Sequence, residues 1–163
     1  MRLTPKLLCV TAVAFAVTAG ASAAASAGPA ASQRVDGSIA AAGSTCTWTD
    51  ATASADPPAG LTIDHATINS SLSCTGGTSA TLNNDPAVTF DDAAGTATSD
   101  LIDITVKQSI VTCSYKATNV AWTRDGSTRA YQNQAFTASK SSGSFLCPGS
   151  FSAEPGSASL TFH

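Results

Sequence analysis

Apolar and polar residues alternate one by one along much of this chain, and no stretch after residue 27 keeps a capped 3.6-residue period. Alternation marks a strand with one face buried, because successive side chains leave a pleated backbone on opposite sides. Residues 99–107 have it most clearly: Ile102, Ile104 and Val106 share one face, Asp103, Thr105 and Lys107 the other. Residues 111–116 repeat the pattern and turn Cys113 inward. Residues 45–49, ending at Asp50, and 61–65 read as half-buried strands in the same way. Shorter strands are predicted over 78–82 and 87–90, with closing strands at 145–147 and 160–162. Between them lie turn formers: Pro57-Pro58, Thr75-Gly76-Gly77, Asn83-Asn84-Asp85-Pro86 and Asp91-Asp92-Ala93-Ala94-Gly95. Many short strands with turns every 8 to 12 residues or so define an all-β domain. A β-sandwich is the expectation, with an immunoglobulin-like or small-barrel arrangement as the alternative.

The clearest hairpin signal is Asp125-Gly126, since a two-residue type I′ loop needs positive φ at both centres. In that register Arg124 faces Ser127, Trp122 faces Arg129 and Val120 faces Tyr131. Trp122, Arg129 and Tyr131 then share a face and form a candidate binding surface, a guanidinium over an indole being a common recognition element. The same arrangement also describes a hairpin that turns its large side chains into the core and leaves arginine at the rim.

The first residues change the picture from fold to compartment. Arg2 and Lys6 precede an uncharged apolar run over 7–17, followed by two A-x-A sites, Ala21-Ser22-Ala23 and Ala25-Ser26-Ala27. That order predicts a secretory signal peptide over residues 1–27, with cleavage between Ala23 and Ala27. As a helix the run would rise only about 16 Å against roughly 30 Å of hydrocarbon, too short for an anchor. Cys9 lies inside the run behind Leu8, the wrong place for lipid attachment. Residues 28–43 are largely Ala, Gly and Ser and read as a flexible N-terminus, leaving 44–163 as the folded domain.

Export makes the remaining cysteines, Cys46, Cys74, Cys113 and Cys147, read as two disulfides. No pair has the close spacing of a zinc site, and no C-x-x-C supports redox chemistry. Of three possible pairings we expect Cys46–Cys74 and Cys113–Cys147, because neighbours in chain order tend to be neighbours in space. Each closes a loop of about 30 residues, worth roughly 3 to 4 kcal/mol. The formal charge of −3 becomes more negative once Arg2 and Lys6 leave. The other cations (Arg34, Lys107, Lys116, Arg124, Arg129, Lys140) form no run, which argues against nucleic acid or anionic lipid held by a basic patch.

Taken together, the Ala-rich leader, residues 91–97 (Asp-Asp-Ala-Ala-Gly-Thr-Ala), Thr112-Cys113-Ser114-Tyr115, Asn119-Val120, Arg124-Asp125-Gly126 and Ser144-Phe145-Leu146-Cys147-Pro148 resemble small secreted β-rich proteins of actinobacteria that carry no assigned activity. The resemblance spans roughly residues 60–163. It implies a secreted β-rich domain and transfers no functional residues.

Candidate chemistry is thin. A serine hydrolase needs a histidine base with an orienting acid, and the only histidines are His65 and His163. On a strand, Asp64 and His65 point to opposite faces and form no dyad. Asp91 with Asp92, or Asp100 with Asp103, could supply a glycosidase pair, but acidic turn residues more often shape turns. Asn83-Asn84-Asp85 and Asp91-Asp92 have oxygen ligands suited to calcium, yet Asp85 and Asp91 stand about 20 Å apart on an extended segment. Asn69-Ser70-Ser71 fits a glycosylation sequon, read as chance in a bacterial export product. We therefore expect a secreted, non-catalytic binding or cell-surface module with no cofactor or metal. Its partner would be the cell wall or another secreted protein, with no nucleic acid and no membrane span in the mature chain. The alternatives are a protease inhibitor presenting the loop at residues 147–151 beside its disulfide, and a hydrolase with an unfamiliar site, of which a site at His65 is one version.

Overall fold

A computed structural model describes residues 33–41 and 43–163; the expected signal peptide and residues 28–32 lie outside them. Twelve strands and one short helix follow in order: β1 (Gln33–Ala41), β2 (Ser44–Ala53), β3 (Leu61–Thr62), α1 (His65–Ser71), β4 (Ser73–Cys74), β5 (Thr78–Leu82), β6 (Ala87–Asp91), β7 (Thr96–Gln108), β8 (Val111–Arg124), β9 (Ala130–Asn133), β10 (Phe136–Gly143), β11 (Ser150–Ala153) and β12 (Ala158–Phe162). The fold is all-β, as the alternation predicts.

Every described pairing is antiparallel, and one path runs β3-β6-β7-β8-β9-β12-β1-β2-β4, with β5 beside β7 and β10 bridging β8 to β11. The sheet folds over so that distant strands face one another. Phe90 of β6 meets Tyr131 of β9 and Phe162 of β12 edge to face, with ring centroids 5.4 and 5.8 Å away. The two layers of a sandwich are therefore present, joined through β9 and β12 in one hydrogen-bonded sheet. A lone bridge from Ala53 to Ile63 brings the ends of the path together without closing a barrel. Val35, Ile63, Val88 and Val120 are fully buried between the layers, and alanines such as Ala51, Ala97 and Ala117 let backbones approach closely.

A kink in the longest hairpin makes this folding-over possible. Along β8 the buried side chains are Tyr115 and Ala117, then Val120 and Trp122. The odd positions face inward before residue 119 and the even ones after it. Asn119 has φ of 52°, a left-handed conformation that Asn tolerates, and β7 pairs on either side of it through Leu101↔Thr118 and Ser99↔Val120. The phase of the alternation inverts there, so both ends of the hairpin turn large side chains to the core.

Four expectations are corrected. Residues 33–41 of the supposed flexible N-terminus form β1, hydrogen-bonded to β12 on one side and β2 on the other. The strand at 61–65 stops at Thr62; Asp64 caps a helix, its carboxylate accepting from Ala66 N at 2.8 Å. The helix buries Ile68 and covers the open edge of β2, where the hydroxyls of Thr67 and Ser71 accept from Thr52 N and Thr49 N at 2.9 and 3.2 Å. Residues 145–147 form a turn, with Phe145 and Leu146 exposed and Cys147 buried. The Asp125-Gly126 loop is wider than two residues: Asp125 N donates to Ala130 O at 2.8 Å, Thr128 N to Asp125 O at 3.1 Å, and the register becomes Arg124↔Tyr131 and Trp122↔Asn133. Gly126 has positive φ and Asp125 does not, so no type I′ turn forms.

Candidate functional site: an apolar groove at the disulfide end

Both expected disulfides are present, Cys46–Cys74 across the β2–β4 pair and Cys113–Cys147 from β8 to the turn after β10. They stand at the same end of the molecule, because β5 pairs Thr78–Ala80 with the last residues of β7, whose hairpin partner carries Cys113. Between the layers at that end lies a groove of about 320 Å³. Ile104, Val106 and Tyr115 line one side and Ile39 and Cys46 the other, with Leu146 and Phe151 at the mouth. Its polar groups are few. Ser44 Oγ and Thr78 Oγ1 share a hydrogen bond of 2.8 Å that ties β2 to β5. An apolar, concave site with sparse polar groups is the usual form of a ligand pocket.

The mouth is held by the loop at 144–149. Ser144 N donates to Thr112 O at 3.1 Å and Cys147 N to Ser144 O at 3.0 Å, which closes a tight turn. Lys140 Nζ reaches Ser144 O at 3.3 Å. Gly143 sits at φ 117°, and a Cβ there would stand 2.4 Å from Thr112 O, so only glycine fits where β10 leaves β8. Tyr115 OH donates to Pro148 O at 3.3 Å, its ring meets Phe151 edge to face at 5.0 Å, and burial pushes its phenol pKa up. Phe145 and Leu146 at the tip of the turn are exposed. In the expected inhibitor loop at 147–151, Cys147 is buried in its bridge, Pro148, Gly149 and Ser150 are exposed, and Ser150 and Phe151 begin β11, paired with β10.

The candidate surface of Trp122, Arg129 and Tyr131 does not exist as one face. Trp122 and Tyr131 are buried; the indole donates to Ser99 Oγ at 2.9 Å, and Tyr131 packs on Phe90 and Phe162. Arg129 is exposed and pairs with Asp56. The wider loop slides Tyr131 opposite Arg124 and leaves Arg129 outside.

His65 gains an acid that sequence reasoning missed. On the helix its Nδ1 lies 2.6 Å from Asp85 Oδ1, the same oxygen that accepts from His65 N at 2.9 Å. Those bonds, the backbone one first, hold the Asp85 carboxyl below its ordinary value. Asp64, His65 and Asp85 bring ligand-type atoms within 4.8 Å of one another, as do Asp36, Asp50 and His163. In each cluster carboxylate oxygens already serve the fold: Asp64 and Asp85 tie the helix start, and Asp36 accepts from Asp50 N at 2.8 Å beside a bulge between β1 and β2. Among the described residues no hydroxyl or thiol hydrogen-bonds to His65 Nε2.

The other acidic candidates are spoken for similarly. Asp91 caps its own turn through Ala94 N at 3.0 Å, Asp92 pairs with Arg124, Asp100 accepts from Ala87 N at 2.9 Å, and Asp103 pairs with Lys116 at 3.1 Å. Asn84 joins the backbone of β7 at Leu101 and Asp103, and the sequon residue Asn69 holds both backbone groups of Leu82. Among the described residues no helix is long and apolar enough to cross a membrane. No family model, curated protein or solved structure matches this chain.

Proposed function

We propose that this chain is an exported, disulfide-braced, non-catalytic binding module whose recognition site is the groove at the disulfide end. The observation that carries the reading is the groove itself: apolar side chains from both layers remain unfilled against one another beside two covalent braces. A core that needed only stability would bring those layers into contact, since unfilled apolar space forfeits dispersion and transfer energy. Export is supported by the leader-like first residues, by the resemblance to secreted actinobacterial proteins, and by disulfides, which persist in oxidising compartments.

One preparation tests the reading. Protein recovered from the medium of a secreting cell should begin after Ala23 or Ala27. It should raise the fluorescence of an apolar dye such as anilinonaphthalene sulfonate with single-site saturation. Ala80 lies half-buried in the groove wall, so Ala80→Trp should fill the groove and abolish the signal with the fold intact. A wild type that leaves the dye dark, or a variant that still lights it, removes the groove as the site.

A further inference from the structure

The chain carries eleven acidic residues, and none falls in the stretches that meet at the disulfide end; Asp103 borders one of them and is neutralised by Lys116. Four stretches converge there through strand pairing and the two bridges: residues 38–41 with 43–49, 71–84, 104–116 and 137–151. None of their residues is acidic, and they hold Lys107, Lys116 and Lys140. Lys116 is paired with Asp103. Lys107 makes no ion pair among the described residues, and Lys140 meets only a carbonyl, that of Ser144. A chain of negative formal charge thus has one end with a local positive excess, which overall composition hides.

The same end bears the exposed large apolar side chains of the described residues: Ile110 at 91 %, Phe145 at 91 % and Leu146 at 61 %. Ile110 occupies the two-residue tip between β7 and β8, where Ser109 has φ of 56°. Such tips favour Gly, Asn or Asp, so local turn chemistry does not explain an isoleucine there. The bond from Ser144 N to Thr112 O and the Cys113–Cys147 bridge fix the second tip beside the first. Two adjacent protruding tips with apolar ends, and behind them ammonium groups that make no ion pair among the described residues, suit a flat partner with an apolar interior and anionic headgroups. Apolar burial and attraction to anionic lipid are the two terms that hold a protein at a bilayer surface.

We propose that the disulfide end docks on an anionic phospholipid bilayer, Ile110, Phe145 and Leu146 entering the interface while Lys107 and Lys140 meet the phosphates. The carboxylates outside those four stretches would be repelled and so favour the orientation that turns the lysines to the membrane. The proposal rests on the reading of this end as the recognition site and names its partner.

The test is cosedimentation of the full chain, disulfides intact, with vesicles of phosphatidylcholine alone or mixed with phosphatidylglycerol. Wild type and variants are compared in the same form, so that the contribution of the first 32 residues cancels. Lys107→Gln/Lys140→Gln should weaken partitioning onto anionic vesicles about 25-fold, roughly fivefold per charge, and leave neutral vesicles unaffected. Ile110→Ser/Phe145→Ser/Leu146→Ser should weaken both by more than about tenfold. In a Phe145→Trp variant, brominated lipid should quench the emission that the new indole adds. Equal binding by wild type and triple variant, or added emission that brominated lipid leaves unquenched, overturns the proposal. So does self-association that the triple variant abolishes without any vesicle binding by wild type, which would make a second copy the occupant. Dye binding that survives a failed vesicle assay overturns this inference alone; loss of both removes the binding reading as well.

Discussion

At Gly37 the indole of Trp48 lies directly across the backbone of β1, and a Cβ on that glycine would stand 2.0 Å from Trp48 Cζ2. The ring is only partly buried, yet it occupies the one place on the strand where no side chain intervenes. Gly37→Ala should therefore destabilise the protein by about 1 to 3 kcal/mol, the usual cost of overpacking. Urea unfolding checks it, and a Gly37→Ala/Trp48→Leu double variant should lose less than the two single changes together, because the clash goes with the ring. The same residues show why β1 is hard to read from sequence. Val35, Gly37 and Ile39 do alternate, but the middle position is filled by a neighbour's side chain, leaving a stretch that looks like linker. Asp85 beside His65 was illegible for a related reason: the contact needs His65 on a helix, and a two-residue strand ends just before it.

Elements with many strictly alternating residues were legible. Positions 102, 104 and 106 on one face of β7 and the strand at 78–82 stand as the pattern predicts, and the two disulfide pairings stand as chain order predicts. Elements decided by loops were not. The Asp125-Gly126 signal marks a turn correctly, but Thr128 builds a wider loop by donating to Asp125 O and accepting from Ala130 N, and the register moves with it. Residues 145–147 have the apolar content of a strand, and only the turn bond from Cys147 N to Ser144 O removes them from the sheet. That loop depends on its bridge, whose cysteines are 34 residues apart. Cys113→Ala/Cys147→Ala should cost about 3 to 4 kcal/mol in thermal or denaturant unfolding. Hydrogen exchange should rise first at residues 144–149, while the amides of β1 and β12 stay protected.

Across the whole molecule, two carboxylates tie stability to pH. The Asp36 carboxyl is held below its ordinary value of 3.8, chiefly by the N–H of Asp50, and that of Asp85 chiefly by the N–H of His65. Each therefore binds its proton less tightly folded than unfolded. The stability they add is complete above about pH 3.9 and is lost as pH falls below it through their lower folded values. Asp36→Asn/Asp85→Asn should flatten the acid limb of a stability-versus-pH curve measured by urea unfolding, by a small amount because both groups are largely solvated. The lengths of the strands carry one more consequence. β7 and β8, with 13 and 14 residues, lie inside the sheet, whereas the outermost strands β3, β4, β5 and β11 have 2, 2, 5 and 4. Short borders offer little template for a foreign backbone to zip onto, so a chain this rich in β-structure is guarded against fibril growth even when crowded.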